Sequence, residues 1–335
     1  MVRSLVPGIY APTQTFFTST TGLDSSEAPN ALDAATIAKH AVRLVRAGCT
    51  GLVCNGSNGE AALLDGDERA DVVAITRRAL DAAGFASVPI IAGTSANSVR
   101  GTLRLCSDAA TAGADAVLIL SPAFVGGGSG GMGPAGIERF FALVADASPL
   151  PVVLYNYPAA AGGFDLDSDA LVRLAQHKNI VGTKFTCGSV GKMARVISDI
   201  PATVSDVSTT ASPSSSPYFA FSGVADCILP AVVVGGTGAI VGAANIVPRA
   251  CVEVYNLAVQ GDLPRARAAQ QALAKADWSL TKRAIPGFKA VLDHYHGYGG
   301  APRLPMVPIA QDAADDLCAE IADYMKYEQS LPDVI

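Results

Sequence analysis

Short, continuously apolar runs alternate with stretches of helical period along this chain, and they do so eight times. The runs end near positions 17, 56, 94, 122, 155, 184, 223 and 242. That spacing is mostly one strand–helix unit of about 30 residues. Runs such as Ala116-Val117-Leu118-Ile119-Leu120 show no in–out alternation. A strand with that pattern is covered on both faces, as in a parallel sheet flanked by its crossover helices. The helical stretches carry their own punctuation. Asp33, Ser98 and Asp167 or Ser168 can accept from the free amides of a first turn, and Gly48 and Gly113 can end a helix. Helices are predicted to run to Ala47, from Asp67 to Ala83, from Ser98 to Gly113, from Ile137 to Ala147 and from Val190 to Asp199. From Pro248 to about Lys326 the pattern is helical only. Eight such units argue for an α/β fold, a (β/α)8 TIM barrel, with a C-terminal helical extension. The barrel is expected over 1–246, with its last helix and the extension over 247–335. The alternative is an open doubly wound sheet, but no G-x-G-x-x-G follows the first run.

Composition narrows the function classes. A net charge of −6 over 335 residues argues against nucleic-acid or anionic-membrane partners. There is no apolar run long enough to span a bilayer, and the N-terminus lacks the apolar core of a secretory leader, so a cytoplasmic protein is expected. The seven cysteines are scattered and never form C-x-x-C, which suits reduced thiols better than a disulfide frame or a zinc site. Four dispersed histidines suggest no metal cluster. Two stretches predict no regular structure: the glycine-rich 126–133, which lacks the Gly-Lys-Ser/Thr ending of a phosphate loop, and the Ser/Thr/Pro-rich 205–217.

The run Ile180-Val181-Gly182-Thr183-Lys184-Phe185 is the unusual one, because it carries a lysine. An ammonium ion is disfavoured in a strand buried on both faces, so such a lysine sheds its proton and becomes a nucleophilic amine. That is the reagent for Schiff-base chemistry on a carbonyl. The plainer alternative is a head group that escapes to solvent past the strand end. Tyr155 ends the preceding run, 29 residues upstream, so the two belong on one rim of a barrel. A phenol beside an amine can shuttle the protons of carbinolamine and enamine formation. At the end of the second run, Gly56-Ser57-Asn58-Gly59-Glu60 allows tight curvature in which successive N–H groups converge on an anion. Read alone, it is equally an ordinary polar turn.

Taken together, Gly-Ser-Asn-Gly-Glu, Tyr-Asn-x-Pro at Tyr155 to Pro158 and Val-Gly-x-Lys at Val181 to Lys184 resemble the dihydrodipicolinate synthase/N-acetylneuraminate lyase family. The resemblance runs from Gly8 to about Pro308 and includes Gly236-Thr237-Gly238-Ala239-Ile240 and Gly297 to Arg303. It implies a pyruvate-handling class I aldolase on a (β/α)8 barrel, needing no metal and no diffusible cofactor, and forming a homo-oligomer, a dimer or tetramer. Lys184 would form the imine and Tyr155 would be the acid/base. Ser57 and Asn58 would hold the pyruvate carboxylate through backbone N–H, with the Ser57 hydroxyl in the proton relay. Gly223 and Ile240 would line the pyruvate pocket.

Two positions depart from the pattern. Where the lysine-biosynthetic members carry an arginine for the second substrate's carboxylate, this chain has Ala160. Where many members place a relay tyrosine near a subunit boundary, it has Phe124. With Ala159-Ala160-Ala161-Gly162-Gly163 and Thr186-Cys187-Gly188, the chain looks most like the fungal 2-keto-3-deoxy-sugar-acid aldolases and the 4-hydroxy-2-oxoglutarate aldolases. The expected reaction cleaves a 4-hydroxy-2-oxo acid to pyruvate and an aldehyde. The alternatives are dihydrodipicolinate synthesis, a related dehydratase, and a catalytically weak oxo-acid binder. A phosphate-binding barrel built on Gly235-Gly236-Thr237-Gly238 is a further rival.

Overall fold

In the computed structural model, eight parallel strands close into one barrel in sequence order, β1 pairing with both β2 and β8. The structure describes residues 2–18, 31–126, 131–200 and 218–334. The strands are β1 Gly8–Pro12, β2 Gly51–Cys54, β3 Ile90–Gly93, β4 Ala116–Leu120, β5 Val152–Asn156, β6 Ile180–Phe185, β7 Phe219–Ser222 and β8 Gly238–Ile240. Around them run α1 Ala34–Arg46, α2 Gly66–Ala82, α3 Val99–Ala112, α4 Ala123–Gly126, α5 Gly133–Ala147, α6 Ser168–Ala175, α7 Val190–Asp199 and α8 Ile228–Val233. Then come α9 Pro248–Val259, α10 Leu263–Thr281, α11 Ala284–His296 and α12 Gln311–Ser330. No described helix is long and apolar enough to cross a membrane.

The unbroken apolar runs have a direct cause in this architecture. Alternate residues of each strand face two separate cores. Tyr10, Val53, Ile91, Val153 and Phe221 fill the barrel interior. Ile9, Leu52, Ile90, Leu154 and Phe185 pack outward against the helices. The helices answer with one apolar stripe, as in α1, where Ile37, Ala41, Leu44 and Val45 are buried. Burying a large apolar side chain of this kind contributes about 1.5–3 kcal/mol.

The helix starts follow the caps. Asp33 accepts from Thr36 N at 3.0 Å, Ser98 from Gly101 N at 3.1 Å and Asp167 from Ala170 N at 2.8 Å. α2 begins a residue earlier than expected because Asp65 and Glu68 form a reciprocal capping box.

Four expectations need correction. The first strand stops at Pro12 rather than near Phe17, and Phe17 forms an isolated antiparallel bridge with Leu32. Pro12 has no N–H to extend the ladder. The glycine-rich stretch 126–133 is in part helical: Gly126 closes α4 and Gly133 opens α5, four residues before the expected start. Residues 127–130 of that stretch, and the whole insert 205–217, lie outside the described residues. β8 ends at Ile240, and Gly242–Asn245 form a 3-10 turn. The tail is not helical throughout: the segment between α11 and α12 carries Gly297, Gly299, Gly300, Pro302, Pro305 and Pro308 and contains no helix.

That irregular segment folds back onto the barrel. Arg303 N donates to Glu60 Oε2 at 2.7 Å, and Arg303 Nη1 meets Glu68 at 2.6 Å. On α11, Lys289 Nζ lies 2.6 Å from Glu60 Oε1, both side chains fully buried. Lys289 Nζ also donates to Ala301 O at 3.0 Å. The far end of the extension is fixed by Glu328 of α12, which accepts from the Arg249 and Ala250 amides at 3.1 and 2.9 Å at the start of α9.

Candidate active site

Lys184 sits at the C-terminal rim of the barrel, where β6 pairs Lys184 with Tyr155 of β5 and Phe221 of β7. Strand periodicity turns Lys184 inward, while Thr183 and Phe185 face outward. The side chain is 4% exposed and has no ion pair among the described residues. Burial alone pulls its pKa from 10.5 down to about 7. The escape of the head group to solvent is therefore not what the fold does. Nζ lies 4.3 Å from the centroid of the Tyr155 ring.

Tyr155 is the next link. Burial raises its pKa, and the nearby Ser57 and Thr186 hydroxyls act in the opposite direction. Its OH is 3.3 Å from Ser57 Oγ. Tyr157 stacks against it with ring centroids 5.7 Å apart. Its neighbour Asn156 braces the loop after β5, donating to Asp165 Oδ1 at 2.8 Å and accepting from Leu166 N at 3.1 Å.

The turn after β2 is sharply curved. Asn55 and Glu60 both have φ of 56°, a left-handed conformation that bends the chain back on itself. The Gly59 and Glu60 amides donate to Gly56 O and Ser57 O, both at 3.1 Å. No described hydrogen bond takes the Ser57 or Asn58 amide. Two adjacent free donors beside Lys184 suit a carboxylate. Gly242 packs behind them, since a β-carbon there would lie 2.8 Å from Asn58 Nδ2. Gly223 has a similar reason to lack a side chain. Its β-carbon would fall 1.9 Å from Thr186 Oγ1 and 2.5 Å from Thr186 Cα.

The cleft has two lobes. One, of about 250 Å³, contains Lys184 and is walled by Asn58, Thr186, Gly223 and Asp277. The other, of about 390 Å³, runs past Glu60, Arg69, Ala160 and Met306. Ser57, Tyr155 and Ile285 border both. The structure thus gathers Lys184, Tyr155, Ser57, Asn58 and Gly223 around one space. Ile240 is fully buried in the interior cluster with Tyr155, and Gly242 rather than Ile240 is on the wall. Phe124 is 87% exposed on α4 and borders neither lobe. Ala160 borders the larger lobe and brings no charge to it.

Several wall residues carry no local sequence signal. Asp277 and Thr281 come from α10, and Ile285 and Phe288 from α11. The phosphate-binding rival fails on geometry. The Gly236 and Thr237 amides donate to Ala231 O and Ala220 O at 2.7 and 2.9 Å, and the turn enters β8 at the opposite rim from Lys184. Its N–H groups are used within the fold.

Against known proteins, residues 20–323 match the model of the dihydrodipicolinate synthetase family, and the chain belongs to that family. It is 45% identical to the L-threo-3-deoxy-hexylosonate aldolase of Aspergillus niger, covering 98% of both chains. A relative from Emericella nidulans, named "Probable 4-hydroxy-2-oxoglutarate aldolase, mitochondrial", is 40% identical over 98% of each chain. Among solved structures, a dihydrodipicolinate synthase family protein from Coccidioides immitis superposes with a TM-score of 0.83 at 33% identity, covering 99% of this chain and 100% of that one.

Proposed function

We propose that this chain is a class I aldolase that cleaves a 4-hydroxy-2-oxo acid to pyruvate and an aldehyde. The observation that carries the reading is the buried Lys184 amine, its pKa drawn down to about 7, lying 4.3 Å from the Tyr155 ring. Lys184 Nζ attacks C2 of the 2-oxo acid. Tyr155 gives its proton to the departing hydroxyl of the carbinolamine, water leaves, and the iminium stays on Lys184. The resulting phenolate removes the proton from the 4-hydroxyl. The C3–C4 bond breaks, its electron pair moves into the enamine, and the aldehyde departs. Tyr155 returns the proton to C3, and water hydrolyses the imine to pyruvate. The Ser57 hydroxyl, 3.3 Å from the phenol, stabilises the phenolate between these transfers. The free Ser57 and Asn58 amides hold the C1 carboxylate. The iminium is itself the electron sink, so the scheme asks for no metal and no diffusible cofactor.

Borohydride trapping tests this directly. Pyruvate is expected to give a stable adduct on the wild-type chain and none on Lys184→Ala. Tyr155→Phe is expected to lower cleavage by about 10²–10⁴-fold, the usual worth of a positioned acid/base. An adduct that persists without Lys184 sinks the Schiff-base reading. Trapping without cleavage of any 4-hydroxy-2-oxo acid would favour an oxo-acid binder.

Two relatives frame the substrate choice, a deoxy-hexulosonate aldolase and a 4-hydroxy-2-oxoglutarate aldolase. Dihydrodipicolinate synthesis is disfavoured by Ala160, which offers nothing to a second carboxylate in the larger lobe. Homo-oligomerisation belongs to the same reading, with exposed Phe124 as the expected contact, and sedimentation of the wild-type chain and Phe124→Ser tests it. A cytosolic location is also part of it. One relative is designated mitochondrial, so fractionation of the tagged chain decides the point.

A further inference from the structure

The lobe that holds Lys184 has one charged residue on its described wall besides the lysine itself, and that residue is Asp277. Asp277 comes from α10, outside the barrel strands. It is 8% exposed and forms no ion pair among the described residues. Burial and the Asp226 carboxylate oppose its charge, hydrogen bonds from the Asp226 and Ala225 amides favour it, and its pKa is raised to about 6. Asp277 therefore brings a carboxylate, held by two backbone amides and with lone pairs to spare, to the wall of a reaction cavity. Thr281 lies four residues on, on the same face of α10, and borders the same lobe. Thr186, Tyr157 and Ser57 add three more hydroxyls around it. No arginine borders this lobe among the described residues.

The geometry points to the Asp277–Thr281 face of α10 as the wall that recognises the hydroxyl groups of the released aldehyde and repels a carboxylate in their place. This rests on the aldolase reading and sharpens it. A buried carboxylate accepts two hydroxyl donors well, because each satisfies a lone pair that water would otherwise hold. The same carboxylate opposes a second anion brought into a low-dielectric space. The favoured aldehyde is then a hydroxyaldehyde such as glyceraldehyde, released from a deoxy-sugar acid. Glyoxylate, released from 4-hydroxy-2-oxoglutarate, is disfavoured. Arg69 is the competing anchor for a carboxylate. It borders the other lobe, where its guanidinium already donates to Ser95 O at 3.3 Å and to Ala61 O.

The test compares kcat/KM for condensation of pyruvate with glyceraldehyde and with glyoxylate. The wild-type chain is expected to favour glyceraldehyde by about tenfold or more, the scale of one like charge on the wall of the same lobe. Asp277→Asn, which keeps the shape and an acceptor oxygen, is expected to shift that ratio toward glyoxylate by about tenfold. Thr281→Val is expected to raise KM for glyceraldehyde and leave that for glyoxylate unmoved. Borohydride trapping with pyruvate is the separate control. If trapping fails in the wild-type chain, the aldolase reading falls. If trapping holds but wild type prefers glyoxylate, or Asp277→Asn leaves the ratio within twofold, the α10 wall does not select the aldehyde. Loss of glyoxylate use in Arg69→Gln would likewise overturn it, by placing the aldehyde in the other lobe. Should Asp277→Asn fail to fold, the wild-type ratio and Thr281→Val still decide.

Discussion

At the residue scale, the proposed chemistry depends on one proton. Lys184 is nucleophilic only as the free amine, and its folded pKa of about 7 lies far below the ordinary 10.5. The rate of imine trapping with pyruvate is therefore expected to rise as pH rises through about 7 and then to level off, which stopped trapping at a series of pH values measures. Stability carries the opposite face of the same shift. Between about 7 and 10.5 the unfolded chain holds this proton and the folded chain does not, so stability increases with pH across that window. The burial penalty is full below pH 7 and gone above 10.5. Lys184→Met is accordingly expected to raise Tm at neutral pH while abolishing trapping, with the gain shrinking as the buffer approaches pH 10.5. Such a trade of stability for reactivity is usual at active sites. The lysine and its tyrosine were legible in the sequence because each breaks a local rule at the end of an apolar run. Asp277 was not legible. It sits in a helix of ordinary pattern, and only its three-dimensional setting makes it unusual.

At the scale of the element, strand ends and helix caps place the site. The caps at Asp33, Ser98 and Asp167 were readable because a short polar side chain before an apolar period has one good use. The ends of β1 and β8 were not: Phe16 and Phe17 resume an apolar run beyond the buried polar Thr13, Gln14 and Thr15, and Val241 carries it past β8. Gly223 shows how finely such an end is set. Gly223→Ala puts a methyl group into Thr186, with contacts as short as 1.9 Å, so β6 or β7 must shift. Pyruvate KM is expected to rise about tenfold or more, a displacement large enough to move Lys184 relative to the carboxylate cradle. Unchanged KM would show that the loop after β7 gives way instead. Glu328 tests a different joint. Its carboxylate takes two amides at the start of α9 and lies 3.3 Å from Arg249 Nη1. Glu328→Ala strands those buried groups and is expected to cost on the order of 3 kcal/mol. Denaturant unfolding reads that loss, and Glu328→Gln, which retains an acceptor, is expected to cost less.

At the scale of the molecule, the extension packs against the turn that borders the proposed active site. Lys289 and Glu60 form a fully buried pair at 2.6 Å, off the line of an ordinary hydrogen bond, and Arg303 N reaches the other Glu60 oxygen at 2.7 Å. Burial lowers the Lys289 pKa, and Glu60 holds it up. Glu60 ends the turn whose Ser57 and Asn58 line the same lobe as Lys184. Lys289→Met is thus expected to destabilise the chain by about 3–5 kcal/mol, the cost of a buried charge left alone. It is also expected to raise pyruvate KM more than it lowers kcat. A stability loss with KM unmoved would show that the extension supports the fold alone. None of this coupling shows in the sequence, where Glu60 reads as a helix-starting acid and Lys289 as one cation in a helical tail. Their pairing spans most of the chain, and neither short period nor motif reports contacts at such separation.

The same pair has a consequence for the order in which the protein is made. Glu60 leaves the ribosome long before Lys289 and Arg303. Until they emerge, a nascent chain that closes its barrel must bury that carboxylate without its cations or leave the turn open to water. Every strand residue of the reactive centre is synthesised before the segment that sets its geometry. A chain stopped short of Lys289 and Arg303 therefore carries the proposed nucleophile without the contacts that hold Glu60.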